Sequence, residues 1–261
     1  MKENGLCQLL QESKYTVVLS GFGMLIESGY PALRDGEESY DVEQKYGYST
    51  EEIFHSEFFS TRKELFFEFY RNEVLSVTDR PAGRCFYALA ELERRGLIQS
   101  VITRRVYGLP KKAGCQNVVE MHGSVYENYC PHCGEKYSIE FMKNSKRVPL
   151  CTKCSTPIRP NVTLFGEMVD NAIMTKAAEE VEKADVLLIL GTNLKTYLCE
   201  QLVRYYQGDK VILISKNEHF SDKLADLVIH QRVDQTKSLV REERVVYNND
   251  GVKIKQECMR R

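Results

Sequence analysis

Residues 126 to 160 hold two cysteine pairs, Cys130-Pro-His-Cys133 and Cys151-Thr-Lys-Cys154, with seventeen residues between them. Nothing else in the chain restricts its folding as tightly. The stretch has too little apolar sequence for a core of its own, so it needs a staple. Two intervening residues let both sulfurs of a pair reach one ion at about 2.3 Å, and two such pairs complete a tetrahedron with no open position. The expected zinc, held by Cys130, Cys133, Cys151 and Cys154, is therefore structural rather than catalytic. The competing reading is a set of buried or reactive free thiols. His132 sits inside the first pair and is expected to face solvent. The chain has nine cysteines, an odd number that favours metal ligation in a reducing compartment over a disulfide framework.

A length of 261 residues exceeds the usual ~100–200 of one domain, so one large domain carrying a smaller inserted module is expected. The 36 Lys and Arg against 37 Asp and Glu exclude the broad positive field that would attract nucleic acid or an anionic membrane. The N-terminus lacks the apolar segment of a secretory signal, and the longest apolar run elsewhere is the five residues 186 to 190. A cytoplasmic protein without a membrane span is expected. The oligomeric state is not legible in the sequence.

Thr16 to Ser20 is a β-branched and apolar run that stops at Gly21, as a buried parallel strand ending in a tight turn would. Similar runs occupy Ile98 to Thr103, Asp185 to Leu190, Lys210 to Ser215 and 224 to 229. Patterns of helical period lie between them, at Cys85 to Arg95 and Ala172 to Lys183. Such alternation predicts an α/β fold, a Rossmann-like doubly wound parallel sheet with a small inserted zinc-ribbon and helical module. The sheet domain is expected to be discontinuous, from 1–33, 76–125 and 161–235. Residues 34–75, rich in Glu, Phe and Tyr, form a helical insert; 126–160 form the zinc module. In the extension 236–261, Asp250-Gly251 between two β-prone runs predicts a hairpin.

The segment GFGMLIESGYPALRD follows the first strand directly, where a Rossmann turn presents backbone N–H groups to a pyrophosphate. A turn chosen only for geometry reads the same way. Ile26 stands where the third glycine of a dehydrogenase fingerprint belongs, which disfavours a simple nicotinamide-linked oxidoreductase.

These residues resemble the sirtuin family, whose nucleotide turn reads approximately G-A-G-x-S-x-x-S-G-I-P-x-F-R; Gly21, Gly23, Ser28, Gly29, Pro31 and Arg34 match it. The likeness continues through GLPKKAG at 108–114, His122-Gly123-Ser124, the cysteine pairs, RPNVTLFGE at 159–167, GTNL at 191–194 and ADLVI at 225–229. Membership implies an NAD-dependent protein-lysine deacylase, a transferase in which an acyl-lysine carbonyl oxygen attacks the nicotinamide ribose, nicotinamide leaves and the acyl group ends on ADP-ribose. NAD is then a co-substrate and an acylated protein lysine the partner. His122 matches the general base; an imidazole with an ordinary pKa near 6.5 suits that role. The resemblance places NAD against Gly21, Phe22, Gly23, Leu33, Arg34, Arg104, Arg105, Gly191, Thr192, Asn193 and Ser215. It assigns Thr163, Leu164, Phe165, Gly166 and Glu167 to the strand that holds the substrate by main-chain hydrogen bonds.

Departures from the family pattern gather around the same ligand. The family's T-Q-N-I-D is here Thr103-Arg104-Arg105-Val106-Tyr107. Arginine offers donors and no acceptor, and a tyrosine ring is rigid, so neither reproduces the Asn and Asp of that segment. Phe22, Leu25, Leu33, Pro110, Asn193 and Ser215 also differ from the usual residues. Arg104 and Arg105 read either as an anion site, selecting another nucleotide or an acidic acyl group, or as one solvated residue and one structural ion pair. Three functions follow from the sequence: a deacylase of weakened or shifted specificity; a regulatory protein that binds NAD or ADP-ribose without turnover; and an ADP-ribosyltransferase or NAD hydrolase.

Overall fold

A computed structural model of the protein describes residues 2–33, 36–236, 239, 245–247 and 253–255. Its strands in chain order are β1 (Thr16–Ser20), β2 (Ser100–Thr103), β3 (Val118–Glu120), β4 (Gly123–Tyr129), β5 (Lys136–Tyr137), β6 (Arg159–Val162), β7 (Val186–Leu190), β8 (Lys210–Ser215), β9 (Leu227–His230), β10 (Val245–Tyr247) and β11 (Lys253–Lys255). Six of them make a parallel sheet in the order β3-β2-β1-β7-β8-β9. This is the doubly wound arrangement expected from the sequence. The strand order reverses between β1 and β7, which pair from Thr16↔Val186 to Ser20↔Leu190.

β1 and β7 are buried along their whole length, as strands covered on both faces must be. Alternate side chains serve two cores. Val18, Leu188 and Leu190 join the larger one, under the helices Lys2–Glu12 and Arg84–Arg94 and the aromatic insert. Val17, Leu19, Leu187 and Ile189 face the smaller core with Ala177, Val181, Leu198 and Leu202, from the helices Asn171–Lys183 and Tyr197–Leu202.

Two differences from the sequence reading have local causes. The final strand of the sheet starts at Leu227 rather than 224, because Phe220–Leu224 closes a 3-10 turn whose start is capped by His219 and Asp222. β3 went unpredicted: three residues do not make a periodic run.

The segment between β1 and β2 carries the helices Gly36–Tyr46, Thr50–Ile53, Ser56–Thr61 and Lys63–Phe69. Ser49 and Glu52 form a reciprocal capping box at the second of these. Phe59, Phe66 and Phe67 meet edge to face, with Phe59 and Phe66 centroids 4.8 Å apart, and these rings merge with the core beneath the sheet. A second antiparallel sheet, β5-β4-β6, carries the cysteine pairs and packs the helix Ile139–Asn144, capped by Ser138. β10 and β11 pair antiparallel; the predicted Asp250-Gly251 turn between them lies outside the described residues. Among the described residues no helix is long and apolar enough to cross a membrane.

Candidate functional site

Where the order of a parallel sheet reverses, the loops leaving two adjacent strands diverge and open a crevice at their carboxyl ends. Here those loops begin at Gly21, after β1, and at Gly191, after β7. They interlock: Gly21 N donates to Leu190 O at 2.8 Å and Gly23 N to Gly191 O at 2.7 Å. A Cβ on Gly21 would fall 2.3 Å from Thr192 Cβ and 2.6 Å from Gly191 O. Gly191 holds φ +62, and a Cβ there would lie 2.7 Å from Met24 N. The glycines are thus fixed by the close approach of two main chains. The short helix Phe22–Glu27 starts at this point, and the first N–H groups of a helix have no acceptor within it. Asn193 builds the second turn by accepting Lys195 N at 2.9 Å, while Thr192 bonds Thr196. Ser215 ends β8 opposite His230. Leu33 rests on the larger core, and its carbonyl accepts the Thr50 hydroxyl. Arg34 lies outside the described residues.

His122 occupies the turn between β3 and β4. Arg104 Nε donates to its Nε2 at 2.7 Å, and the same guanidinium lies 4.7 Å from the ring centroid of Tyr197. An imidazole nitrogen that accepts from arginine carries no proton, so the ring is neutral with its proton on Nδ1. That Nδ1 is buried and has no hydrogen-bond partner among the described residues. Burial, and then the charges of Arg104 and Arg105, push the imidazole down to about 4. Arg105 lies with its guanidinium 4.7 Å from the Phe22 ring, and its backbone N donates to Thr103 Oγ1 at 3.0 Å. His122 and Arg104 are therefore paired, and Arg105 and Phe22 lie beside them. Tyr107 is not among them: it turns into the core against Tyr30, with centroids 4.9 Å apart, and burial raises its hydroxyl far above the ordinary tyrosine range.

The Thr163–Glu167 segment is joined to this histidine through the main chain, Thr163 N donating to His122 O at 3.0 Å. Phe165 uses both its backbone groups on the helical insert, accepting from Ser56 N and donating to Phe54 O, each at 2.9 Å. Leu164 is buried. The Glu167 carboxylate is held twice by Arg159, at 2.6 Å each, and accepts Leu164 N at 2.9 Å. Gly166, at φ +84, packs against His55 and Ser56. Glu167 thus shapes the segment rather than presenting a free charge.

The four cysteines of the small sheet place their sulfurs within 4.8 Å of one another. Cys130 and Cys154 are 3.4 Å apart, Cys133 and Cys151 3.5 Å, and Cys133 and Cys154 3.8 Å. A tetrahedron with bonds of about 2.3 Å has edges of roughly 3.8 Å, so the set fits zinc. The two knuckles repeat one turn: Gly134 N reaches Cys130 O and Ser155 N reaches Cys151 O, both at 2.9 Å, with φ of +72 and +59. His132 is exposed, as expected. Tyr137, which the sequence did not single out, donates its hydroxyl to Cys151 Sγ at 3.2 Å. Tyr197 and the 54–56 strip were also missed; their roles arise from contacts distant in sequence.

A model of the Sir2 family matches residues 21–197. An NAD-dependent protein deacetylase of Clostridium acetobutylicum is 34% identical over 233 residues, covering 89% of this chain and 95% of its own. Among solved structures, one from work on sirtuin substrate affinity superposes with a TM-score of 0.81 at 31% identity, covering 92% of this chain and 98% of that one. A Sir2 complex with a p53 peptide and NAD+ gives a TM-score of 0.75 at 31% identity, covering 89% and 94%.

Proposed function

The chain belongs to the Sir2 family, and from that premise we propose that it is an NAD-dependent protein-lysine deacylase that transfers the acyl group to ADP-ribose and releases nicotinamide. The observation that carries this reading is the bond from Thr163 N to His122 O. It joins a neutral imidazole to the strip assigned to the acyl-lysine, at the sheet end where the Gly21 and Gly191 turns meet.

NAD supplies the glycosidic bond whose cleavage drives the transfer. The chain's own residues supply the surroundings. Gly21 N and Gly23 N hold the two turns together, and the start of the helix at Phe22 is left to offer main-chain donors of the kind that hold a pyrophosphate; the absence of side chains at Gly21 and Gly191 keeps the turn closed. The orphaned Nδ1 of His122 and its neutral ring fit a polar ligand in the crevice, and Nε2 is the nitrogen able to accept a proton from a ribose hydroxyl. The family likeness assigns the acyl-lysine peptide to the Thr163–Glu167 strip, which Arg159 braces and whose N–H groups at Thr163, Leu164, Phe165 and Glu167 are bonded within the protein, so a peptide there exchanges some of these bonds for its own. Cys130, Cys133, Cys151 and Cys154 would hold a structural zinc that staples the small sheet from which His122 and this strip extend. Free cysteine usage supports residence in the cytoplasm.

One observation favours the second reading, binding without turnover: Arg104 already occupies His122 Nε2. Incubating the protein with NAD and a panel of acyl-lysine peptides separates the two. Deacylation yields nicotinamide, free lysine and acyl-ADP-ribose by mass spectrometry; ADP-ribose binding with no nicotinamide release identifies the regulatory protein.

A further inference from the structure

Arg104 connects two walls of the crevice. It follows β2 directly, donates from Nε to His122 Nε2 at 2.7 Å and lays its guanidinium 4.7 Å from the Tyr197 centroid. His122 belongs to the turn that leads into the small sheet. Tyr197 opens the helix that follows the Gly191 turn. Arginine has only donors and keeps its charge. The lone pair that a general base must offer to a hydroxyl proton is therefore already engaged.

We infer that Arg104 gates His122: in the ligand-free protein its guanidinium masks the basic nitrogen, and a ribose hydroxyl reaches Nε2 only after the guanidinium has moved off it. The inference rests on the reading of His122 as the general base. In the base step a hydroxyl proton passes to Nε2, leaving protons on both ring nitrogens and a positive charge. An imidazolium cannot accept from arginine, and two cations in contact repel, so the gate must open for that step. Tyr197 provides the route. The residue is 56% exposed, and a guanidinium can pivot away from the imidazole while staying over the aromatic face. The charged groups bearing on the ring are Arg104 and Arg105. Arg105 rests on Phe22, so the masking contact belongs to Arg104.

The test is an NMR titration of the imidazole nitrogens of His122 in the full ligand-free chain, comparing the unaltered protein with R104M and R104K. The unaltered ring should remain neutral down to about pH 4. In R104M its half-protonation should rise, with burial and Arg105 still keeping it below the ordinary value of about 6.5, and R104K, which restores a donating cation, should hold it low. A titration unchanged in R104M would overturn the gate. Should R104M not fold, Y197L removes the surface under the guanidinium and is expected to shift His122 in the same direction; no shift there counts equally against it. With NAD and an acetylated peptide at about pH 7.5, R104M should raise kcat for nicotinamide release by roughly tenfold, the scale of one charge-assisted hydrogen bond. A lower kcat would contradict masking. Absence of release from every variant tells against the deacylase reading, and the titration alone then decides the gate.

Discussion

At the scale of single residues, most of the site follows from what cannot be accommodated. A methyl on Gly21 would press on Thr192 Cβ at 2.3 Å and on the Gly191 carbonyl at 2.6 Å, the latter being main chain that cannot rotate aside. Gly21→Ala is therefore expected to cost about 1–3 kcal/mol of stability, as overpacking does, and to weaken ADP-ribose binding at least about tenfold in calorimetry. His122 makes a prediction with a definite sign. Its folded pKa, pushed by burial and two guanidiniums to about 4, lies below the unfolded value near 6.5. The unfolded chain binds the extra proton first. The contribution is fully present above pH 6.5 and is lost as pH falls from 6.5 to 4, on the order of 3 kcal/mol. Urea unfolding at pH 7 and pH 4.5 should show a smaller acid loss in His122→Asn than in the unaltered protein; equal losses would mean that the ring is not held neutral. Sequence alone could name His122, Arg104 and Arg105 but not their pairing, because a hydrogen bond across eighteen positions has no periodic trace. Tyr107, read from the sequence only as unable to replace the family's Asp, joins Tyr30 in the core, a placement with no periodic trace either.

At the scale of elements, the strands of the main sheet were legible wherever they were buried on both faces, since β1 and β7 then read as unbroken apolar runs. β3 and the start of β9 were not, one for shortness and the other for the capped 3-10 turn before it. The cysteine spacing was legible because metal geometry imposes it, whereas the bracing of Glu167 by Arg159 was invisible, a salt bridge having no required spacing. The small sheet carries the cysteines that fit zinc and also touches the site: Val125 N donates to Val106 O at 2.9 Å, and Thr163 N to His122 O. Chelation of zinc, or Cys151→Ser, is expected to unfold β4 to β6 and to abolish peptide turnover. Hydrogen exchange should then show lost protection at Val125 and Thr163 while β1 and β7 keep theirs. Retained protection at both positions would show that the sheet stands without metal.

At the scale of the whole molecule, two sheets of different construction, one parallel and one antiparallel, meet at one place. The parallel sheet has its switch point between β1 and β7, where adjacent loops diverge and the proposed NAD site lies. The cysteine-bearing sheet and the aromatic insert flank the strip at 163–167, which is bonded to His122 on one side and to Phe54 and Ser56 on the other. A doubly wound parallel sheet could be anticipated from the alternation of strands and helices, but the contacts of Arg104 with His122 and Tyr197 could not. Deacylase chemistry requires both walls to act on one pair of substrates in a single turnover. The most direct measurement is mass spectrometry of the protein mixed with NAD and an acetyl-lysine peptide. The account predicts nicotinamide, deacetylated peptide and acetyl-ADP-ribose in equal amounts; bound ADP-ribose with unaltered peptide and no nicotinamide would contradict it.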